Sequence, residues 1–230
     1  LDAFWNAVIG RDNGQTSGLK EGEDPSNQIA GFDFRLSLNP GNVPVGIYGQ
    51  FMGEDEAGGL PSKLSSLAGL DMVTGLGHGS QRFFLEATET VAGSWISERR
   101  LNTAYEHGTY RSGFRHYGRN MATSWEGDAR AVTLGLQQYF RNGVTVGLNL
   151  SRATLNQGGT VRAVIAEDGA ATLQSVEEQD IALAELRIQH PMLGGRLDWL
   201  LSATDEPVET VFEERERFTA GLQWTRPISW

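Results

Sequence analysis

Apolar side chains recur at every second position in nine separate stretches of the chain. In the first stretch every even position from Ala30 to Leu38 is apolar, whereas Asp33 and Arg35 lie between them. Successive side chains of a strand point to opposite faces, so this alternation predicts a strand with one apolar and one polar face. The other eight stretches are residues 43–53, 66–76, 82–90, 131–140, 144–151, 178–190, 196–203 and 216–230.

The connections between these stretches alternate in length. Short connections are predicted at residues 39–42, 78–81, 141–143 and 190–195, and long acidic ones at residues 54–65, 155–177 and 204–215. Asn142 and Gly143, placed between two alternating stretches, are a strong signal of a β-hairpin. Short turns on one side and long loops on the other are typical of an outer-membrane β-barrel.

The length of the strands separates a membrane barrel from a soluble β-sandwich, which would show the same alternation. The stretches run about nine to twelve residues, the length that a tilted strand needs to cross the hydrocarbon layer. Strands of globular proteins average about five to six residues. The last stretch ends in an aromatic residue, Trp230, as bacterial barrels do. We therefore expect an all-β, antiparallel transmembrane barrel of the outer membrane.

The direction of the strands constrains the central region, residues 91–130. Counting from either end of the chain, the strand before this region ends on the long-loop side and the strand after it begins on that same side. The region must then contain an even number of crossings. We expect either none, which makes it a long plug or surface loop, or two.

Composition excludes several other classes. The formal net charge is −10 and the chain has no basic stripe, so nucleic acid is not an expected partner. There is no cysteine and no apolar run long enough for a helical span, and no metal or cofactor site is expected. The chain begins at Leu1 without a signal peptide, and we interpret it as a mature or truncated piece.

The central region concentrates aromatic, arginine and histidine residues and has no apolar periodicity. It resembles the capsule assembly protein Wzi family, which carries a Tyr-x-His-x-x-Tyr-x-Ser-Gly-aromatic-Arg-x-x-Gly-Arg block and a Ser-x-x-x-Asp tail. The matching residues are Tyr105, His107, Tyr110, Ser112, Gly113, Phe114, Arg115, Gly118, Arg119, Ser124 and Asp128. Further resemblance lies in residues 10–13, 27–35, 48–50 and 53–58, so it covers most of the chain up to about Leu136.

The resemblance implies a larger barrel of about 18 strands, roughly twice this length, with an N-terminal helical region. Residues 1–230 would then be one barrel domain, the C-terminal portion of such a protein, with residues 91–130 as a polar and aromatic segment within it. The family is implied to be a lectin-like, non-catalytic outer-membrane protein that attaches capsular polysaccharide to the cell surface. Expected partners are capsular polysaccharide, outer-membrane lipid and, during biogenesis, the barrel assembly machinery.

The residue chemistry of the central region agrees with glycan binding. Sugar rings stack their C–H faces on aromatic rings, and their hydroxyl and carboxylate groups pair with arginine and aspartate. The candidate polysaccharide-binding residues are Tyr105, His107, Tyr110, Arg111, Arg115, Tyr117, Arg119, Trp125 and Asp128.

Other interpretations of these residues stay open. Charges on the polar faces of the strands predict a ladder of ion pairs in the barrel lumen, formed by Asp33, Arg35, Asp71, Arg82 and Glu86, and Arg115 and Asp128 could belong to it too. One alternative function is a porin-like channel whose selectivity these charges set. A second is a membrane-embedded hydrolase using His107, His116, Ser112, Ser124 or Asp128, although the chain has no Gly-x-Ser-x-Gly motif.

Overall fold

The computed structural model describes residues 29–57, 60–75, 77, 79–93, 98–106, 113–116, 119–121, 123–158, 175–210 and 214–227 of the 230-residue chain. All nine predicted strands are present and form one antiparallel sheet. They are β1 Ala30–Leu38, β2 Val45–Ala57, β3 Leu60–Thr74, β4 Gly79–Glu89, β7 Arg130–Phe140, β8 Thr145–Leu155, β9 Gln179–Met192, β10 Gly195–Thr204 and β13 Phe218–Thr225. Two short hairpins lie outside the sheet, formed by β5 Arg115–His116 with β6 Arg119–Asn120 and by β11 Val208–Glu209 with β12 Glu214–Arg215.

Each strand of the sheet pairs with the next along the chain, and β4 pairs directly with β7. The described residues between β4 and β7 therefore add no strand to the sheet. The antiparallel pairing of β4 with β7 confirms the even count of crossings, and the described residues of the central region contain no crossing strand. We call residues 90–129 the capping segment.

The strand registers align the apolar positions into one continuous surface. Ile47 pairs with Leu36 on one side and Leu70 on the other, and Leu134 pairs with Leu85 and Leu150. This apolar face is exposed, with 56% of Phe32 and 54% of Leu134 accessible. Other exposed side chains on the face are Phe34, Leu36, Leu38, Ile47, Leu70, Phe83, Leu85, Val132, Leu148, Leu150, Trp199, Phe218, Leu222 and Trp224. A patch of this extent is far larger than water-soluble monomers expose, so it marks contact with lipid or another apolar partner.

The sheet is open within the described residues, because β1 and β13 are its two edges. Nine antiparallel strands alternate in direction, so the two edge strands run the same way and cannot pair antiparallel with each other. Among the described residues no helix is long and apolar enough to cross a bilayer.

The prediction of a long loop at residues 54–65 is wrong, because strands occupy most of this stretch. Strand β2 continues to Ala57 and β3 begins at Leu60, with Asp55 opposite Ser62 and Glu56 opposite Pro61. Among the described residues, 54–57 and 60–63 have strand partners only in each other, as a two-stranded ribbon. The alternation of apolar and polar residues stops where β2 and β3 leave the apolar face. Their backbone hydrogen bonding does not require that face, so the two strands stay paired as far as Ala57 and Leu60.

The hairpin predicted at Asn142 and Gly143 is present between β7 and β8. Gly143 has a φ of 83°, which favours glycine because it carries no Cβ. The Asn142 side-chain oxygen accepts a hydrogen bond from the Val144 backbone N–H at 3.2 Å. The short connection between β7 and β8 is thus determined by the conformational preferences of Asn142 and Gly143.

Candidate functional site

The polar face of strands β1 to β4 carries a connected group of charges. Asp71 on β3 accepts from Arg35 Nη2 at 2.7 Å and forms a second ion pair with Arg82 at 2.9 Å. Gly46 of β2 pairs with Asp71, and a Cβ at Gly46 would lie 2.2 Å from Arg35 Nη2. The glycine therefore leaves the space through which Arg35 reaches across β2 to Asp71.

A second polar contact spans β3 in the same way. The Tyr48 hydroxyl of β2 donates to Glu86 Oε1 of β4 at 2.6 Å. Gly69 of β3 lies between them, and a Cβ there would be 2.4 Å from the Tyr48 ring. The structure thus places Arg35, Asp71, Arg82 and Glu86 of the predicted ladder in polar contacts, whereas Asp33 joins none of these contacts among the described residues.

The capping segment is anchored to the end of the sheet by buried polar contacts. The Thr90 hydroxyl donates to the backbone carbonyl of Glu126 and accepts from the Ala129 N–H, both at 2.8 Å. The Asp128 carboxylate accepts from the Asn102 N–H at 2.6 Å. These contacts join the beginning of the capping segment to its end. Both ends of the segment are therefore held where β4 ends and β7 begins.

Inside the capping segment, one arginine serves two carboxylates. Arg115 Nη2 lies 2.7 Å from Glu106 and 3.0 Å from Glu126, and the three side chains are 6%, 12% and 4% exposed. Burial raises the pKa of the Glu106 carboxyl above its usual value, against the opposing charge of Arg115. Burial alone would lower the pKa of Arg115, but the charges of Glu126 and Glu106 outweigh burial and raise it. The Arg115 guanidinium therefore links Glu106 to Glu126 and stabilises the capping segment.

The backbone of the capping segment adopts the left-handed conformation at several positions that are not glycine. Tyr105, Glu126 and Asp128 have φ angles of 65°, 62° and 54°. Such conformations cost energy for these residue types and persist only where the surroundings hold them. The buried hydrogen bonds and ion pairs of the segment supply that restraint.

A cavity of about 540 Å³ lies between the capping segment and the polar face. The segment contributes three aromatic side chains, Tyr105, Phe114 and Trp125, and the strands contribute polar groups that include Gln50, Glu86 and Thr88. The remaining lining residues are Met52, Ser65, Ser66, Leu67, Thr90, Met121, Thr123 and Ser124. Its volume is within the range of sites that hold small ligands.

Trp125 also borders a second, smaller cavity of about 260 Å³, on the side of β9, β10 and β13. The two cavities share Ser124 and Trp125. The indole packs against a buried apolar cluster formed by Ala129, Ala131, Ala153, Leu155, Ile181 and Val208. Trp125 is therefore positioned by packing and forms part of both cavity walls.

The structure divides the nine predicted polysaccharide-binding residues into four groups. Tyr105 and Trp125 line the larger cavity, whereas Arg115 and Asp128 make internal contacts of the capping segment. Arg119 lies in the short strand β6, opposite His116. The other four, His107, Tyr110, Arg111 and Tyr117, lie outside the described residues.

Several lining residues were not predicted as candidates. Phe114 belongs to the family motif but not to the candidate binding residues, and Gln50 and Thr88 are not among the candidates either. The alternation places Gln50 and Thr88 on the polar faces of their strands. It does not reveal which part of a polar face is covered by a segment distant in the sequence. Of the residues considered for a hydrolase, Ser124 lines the cavity, His116 is exposed, and His107 and Ser112 lie outside the described residues.

These features define a two-faced antiparallel β-sheet of the kind that builds outer-membrane β-barrels, with a capped polar interior at one end. The sequence profile of the family described as "Capsule assembly protein Wzi" matches residues 1–220. The chain belongs to this family.

Two relatives show how much of a longer protein the chain matches. A stretch of 91 residues is 40% identical to an "Uncharacterized 55.8 kDa protein in cps region" of Klebsiella pneumoniae. This stretch makes up 39% of this chain and 17% of the Klebsiella protein. The solved structure of Wzi from Escherichia coli is described as an outer-membrane protein involved in group 1 capsule assembly and as a carbohydrate-binding β-barrel. It matches with a TM-score of 0.65 and 26% identity over 82% of this chain. The match spans 40% of the Escherichia coli chain.

Proposed function

We propose that this chain forms part of an outer-membrane β-barrel that binds capsular polysaccharide and takes part in its assembly at the cell surface. Membership of the capsule assembly family supports the process, and the carbohydrate-binding Escherichia coli relative supports the ligand. The exposed apolar face supports contact with outer-membrane lipid, because its side chains have no covering layer among the described residues. As a barrel of this kind, the protein would pass through the barrel assembly machinery during biogenesis.

The observation that carries the proposal is the cavity beneath the capping segment. Tyr105, Phe114 and Trp125 offer ring faces to the C–H faces of sugars, and the serine and threonine hydroxyls offer both donors and acceptors. The cavity thus combines three aromatic rings with a wall of mostly polar side chains, and both kinds of group are used in sugar recognition. The binding is proposed to be non-catalytic, so the polymer is held and not cleaved.

A porin-like channel is the second function considered in the sequence analysis. The capping segment covers the polar face at the long-connection end of the sheet, and buried contacts hold both of its ends. A covered interior favours retention of a ligand over free diffusion. A stable open conductance in planar bilayers would favour the channel and contradict a capped binding site.

Replacement of Trp125 tests the proposed function. We expect Trp125→Ala to weaken binding of capsular polysaccharide purified from the encoding strain by about five- to tenfold, since stacking contributes roughly 1 to 1.4 kcal/mol. Trp125→Phe should retain most of the affinity because it keeps an aromatic ring. Trp199→Ala, on the apolar face, is the matched control and should bind as the unchanged protein does.

The cellular counterpart uses a deletion strain complemented with each variant. The strain lacking the protein, or carrying Trp125→Ala, should make polymer but release it into the medium. Cell-bound capsule that is unchanged after deletion would contradict the proposal.

A further inference from the structure

We propose that the rim of the apolar face, at the long-connection end of the sheet, binds a phosphate group of an outer-leaflet glycolipid through Arg99 and Arg130. The inference rests on the proposed function, because it takes the apolar face to lie in the outer membrane, and it adds the chemistry of the lipid partner. We call Glu89, Arg99, Arg130 and Gln157 the rim cluster.

The strand register places Arg130 directly beyond the apolar face. Val132 and Leu134 point outward on β7, and Arg130 follows them in the same alternation. Its partner on β4 is Glu89, two positions beyond the outward-facing Ala87. Two residues of a strand span about 7 Å, so both side chains lie where acyl chains give way to head groups. Long connections of outer-membrane barrels are extracellular, so these head groups belong to the outer leaflet.

An ion pair and a series of hydrogen bonds hold the rim cluster together. Arg130 Nε donates to Glu89 Oε2 at 2.7 Å, and Gln157 Nε2 donates to Glu89 Oε1 at 3.2 Å. Arg99 Nη2 donates to Gln157 Oε1 at 2.6 Å. Glu89 is only 3% exposed, and its Oε1 atom also accepts from the Val91 N–H at 3.2 Å. The buried carboxylate therefore fixes the two arginine side chains relative to each other.

Both guanidinium groups are accessible from outside the protein. The Arg130 side chain is 60% exposed although its Nε and Nη2 atoms contact Glu89, so its Nη1 group can donate outward. Arg99 is exposed as well, and its partner Gln157 is uncharged. Arginine pairs with phosphate through parallel hydrogen bonds and is weakly hydrated, which suits the boundary between lipid and water.

The backbone beside Arg99 is anchored to the start of the capping segment. The Arg100 N–H donates to the Ala92 carbonyl at 2.8 Å, and Ala92 is fully buried. Glu98 and Arg100 are exposed neighbours of opposite charge, and the ion pair of the rim cluster is neutral as a unit. Within the described residues of this rim, the charge of Arg99 is thus left for an anion.

A neighbouring arginine has the opposite surroundings. Arg152 points outward on β8, two positions beyond Leu150, and lines an acidic cavity at the long-connection end. The acidic lining residues of this cavity are Glu177, Glu178, Asp180, Asp205, Glu206 and Glu209. Like charges repel an anionic head group there, so the phosphate is placed at the rim cluster and not at Arg152.

The test measures how tightly the protein, held in detergent micelles, binds two lipid probes, with native mass spectrometry counting the bound lipid. The first probe is lipid A with both of its phosphates, and the second is the same lipid A after both phosphates are removed. The acyl chains are identical, so a difference reports the phosphates alone. We expect the phosphorylated probe to bind at least about tenfold more tightly, because hydrogen bonds between charged groups are strong.

Arg99→Gln is the decisive variant, because its partner Gln157 is uncharged and no carboxylate loses its cation. It should reduce the preference for the phosphorylated probe several-fold. Arg130→Lys keeps a cation beside Glu89 but removes the paired N–H donors, and it should reduce the preference by a smaller factor. Arg187→Gln is the matched control, since this side chain is 59% exposed but lies on the polar face, and it should leave the preference unchanged.

Equal binding of the two probes, or a preference that survives Arg99→Gln unchanged, would overturn the inference. A loss in Arg187→Gln as large as in Arg99→Gln would overturn it too, because the effect would then follow net charge alone. Complete displacement of the lipid by millimolar inorganic phosphate would show a site for free anions and reject the lipid. Failure of the protein to insert into lipid vesicles would instead overturn the membrane placement in the proposed function.

Discussion

In the sheet, the hydrophobic side chains point away from the protein, and the polar contacts lie between strands on the opposite face. In the capping segment the arrangement is reversed, since charged and polar groups such as Arg115, Glu126 and Asp128 are buried within it. The sheet is held by a backbone ladder that any alternating sequence can form. The capping segment depends on particular side chains, so single substitutions should affect the two regions very differently.

The largest effect is expected from Arg115→Met. This change keeps most of the side-chain volume but leaves Glu106 and Glu126 buried without their shared cation, at a cost of about 3 to 5 kcal/mol. Amide hydrogen exchange measured by mass spectrometry should show faster exchange across the described part of the capping segment, with β7 to β10 unchanged.

The matched control for Arg115 is Arg187→Met in the sheet. Arg187 is largely exposed, and its partner Asp198 keeps contacts with Arg196 and Gln189. Its loss should cost about 1 kcal/mol or less. Equal effects of the two substitutions would contradict the difference drawn between the regions.

A smaller effect is expected from Leu134→Arg on the apolar face. If this face contacts the bilayer midplane, the charge should lower the free energy of unfolding in lipid vesicles by about 2 to 4 kcal/mol. Gln137→Arg, on the polar face of the same strand, should change it by about 0.5 kcal/mol or less. A small effect of Leu134→Arg in lipid would argue for a protein partner on this face.

The smallest effect is expected where an aromatic ring covers a glycine on the polar face. A Cβ at Gly135 would lie 2.0 Å from the Phe84 ring, and Arg82 lies over that ring at 5.0 Å from its centroid. Gly135→Ala should therefore cost about 1 to 3 kcal/mol in denaturant unfolding. Gly147→Ala on β8, where the nearest atom is 4.0 Å away, should be neutral or slightly stabilising, and the opposite order would refute this explanation.

The strands could be predicted because their signal is local. In the first strand, the position of each residue in the alternation indicates the face on which its side chain lies. The turn at Asn142 and Gly143 is likewise favoured by the conformational preferences of those two residues. The extension of β2 and β3 beyond the apolar face could not be predicted this way, since Asp55 and Glu56 look like loop residues. Their pairing depends on the partner strand and not on the solvent they meet.

The candidate site was only partly predictable for a related reason. Tyr105 and Trp125 are candidates because aromatic rings stack on sugars and are concentrated in the aperiodic central region, and both line the larger cavity. Arg115 attracted the same attention but is buried in ion pairs. A guanidinium that binds a ligand and one that binds a neighbouring carboxylate have the same sequence signature.

The alternation of apolar and polar residues by itself determined nine strands, two faces and an even number of crossings in the central region, because side-chain direction in a strand follows from chain geometry alone. Only the tertiary structure decided that no described residue of the central region adds a crossing strand, that the capping segment covers part of the polar face, and that Glu86 of β4 lines the same cavity as Tyr105 and Trp125. These facts depend on which distant residues meet, and long-range contacts leave no periodic trace in the chain that makes them.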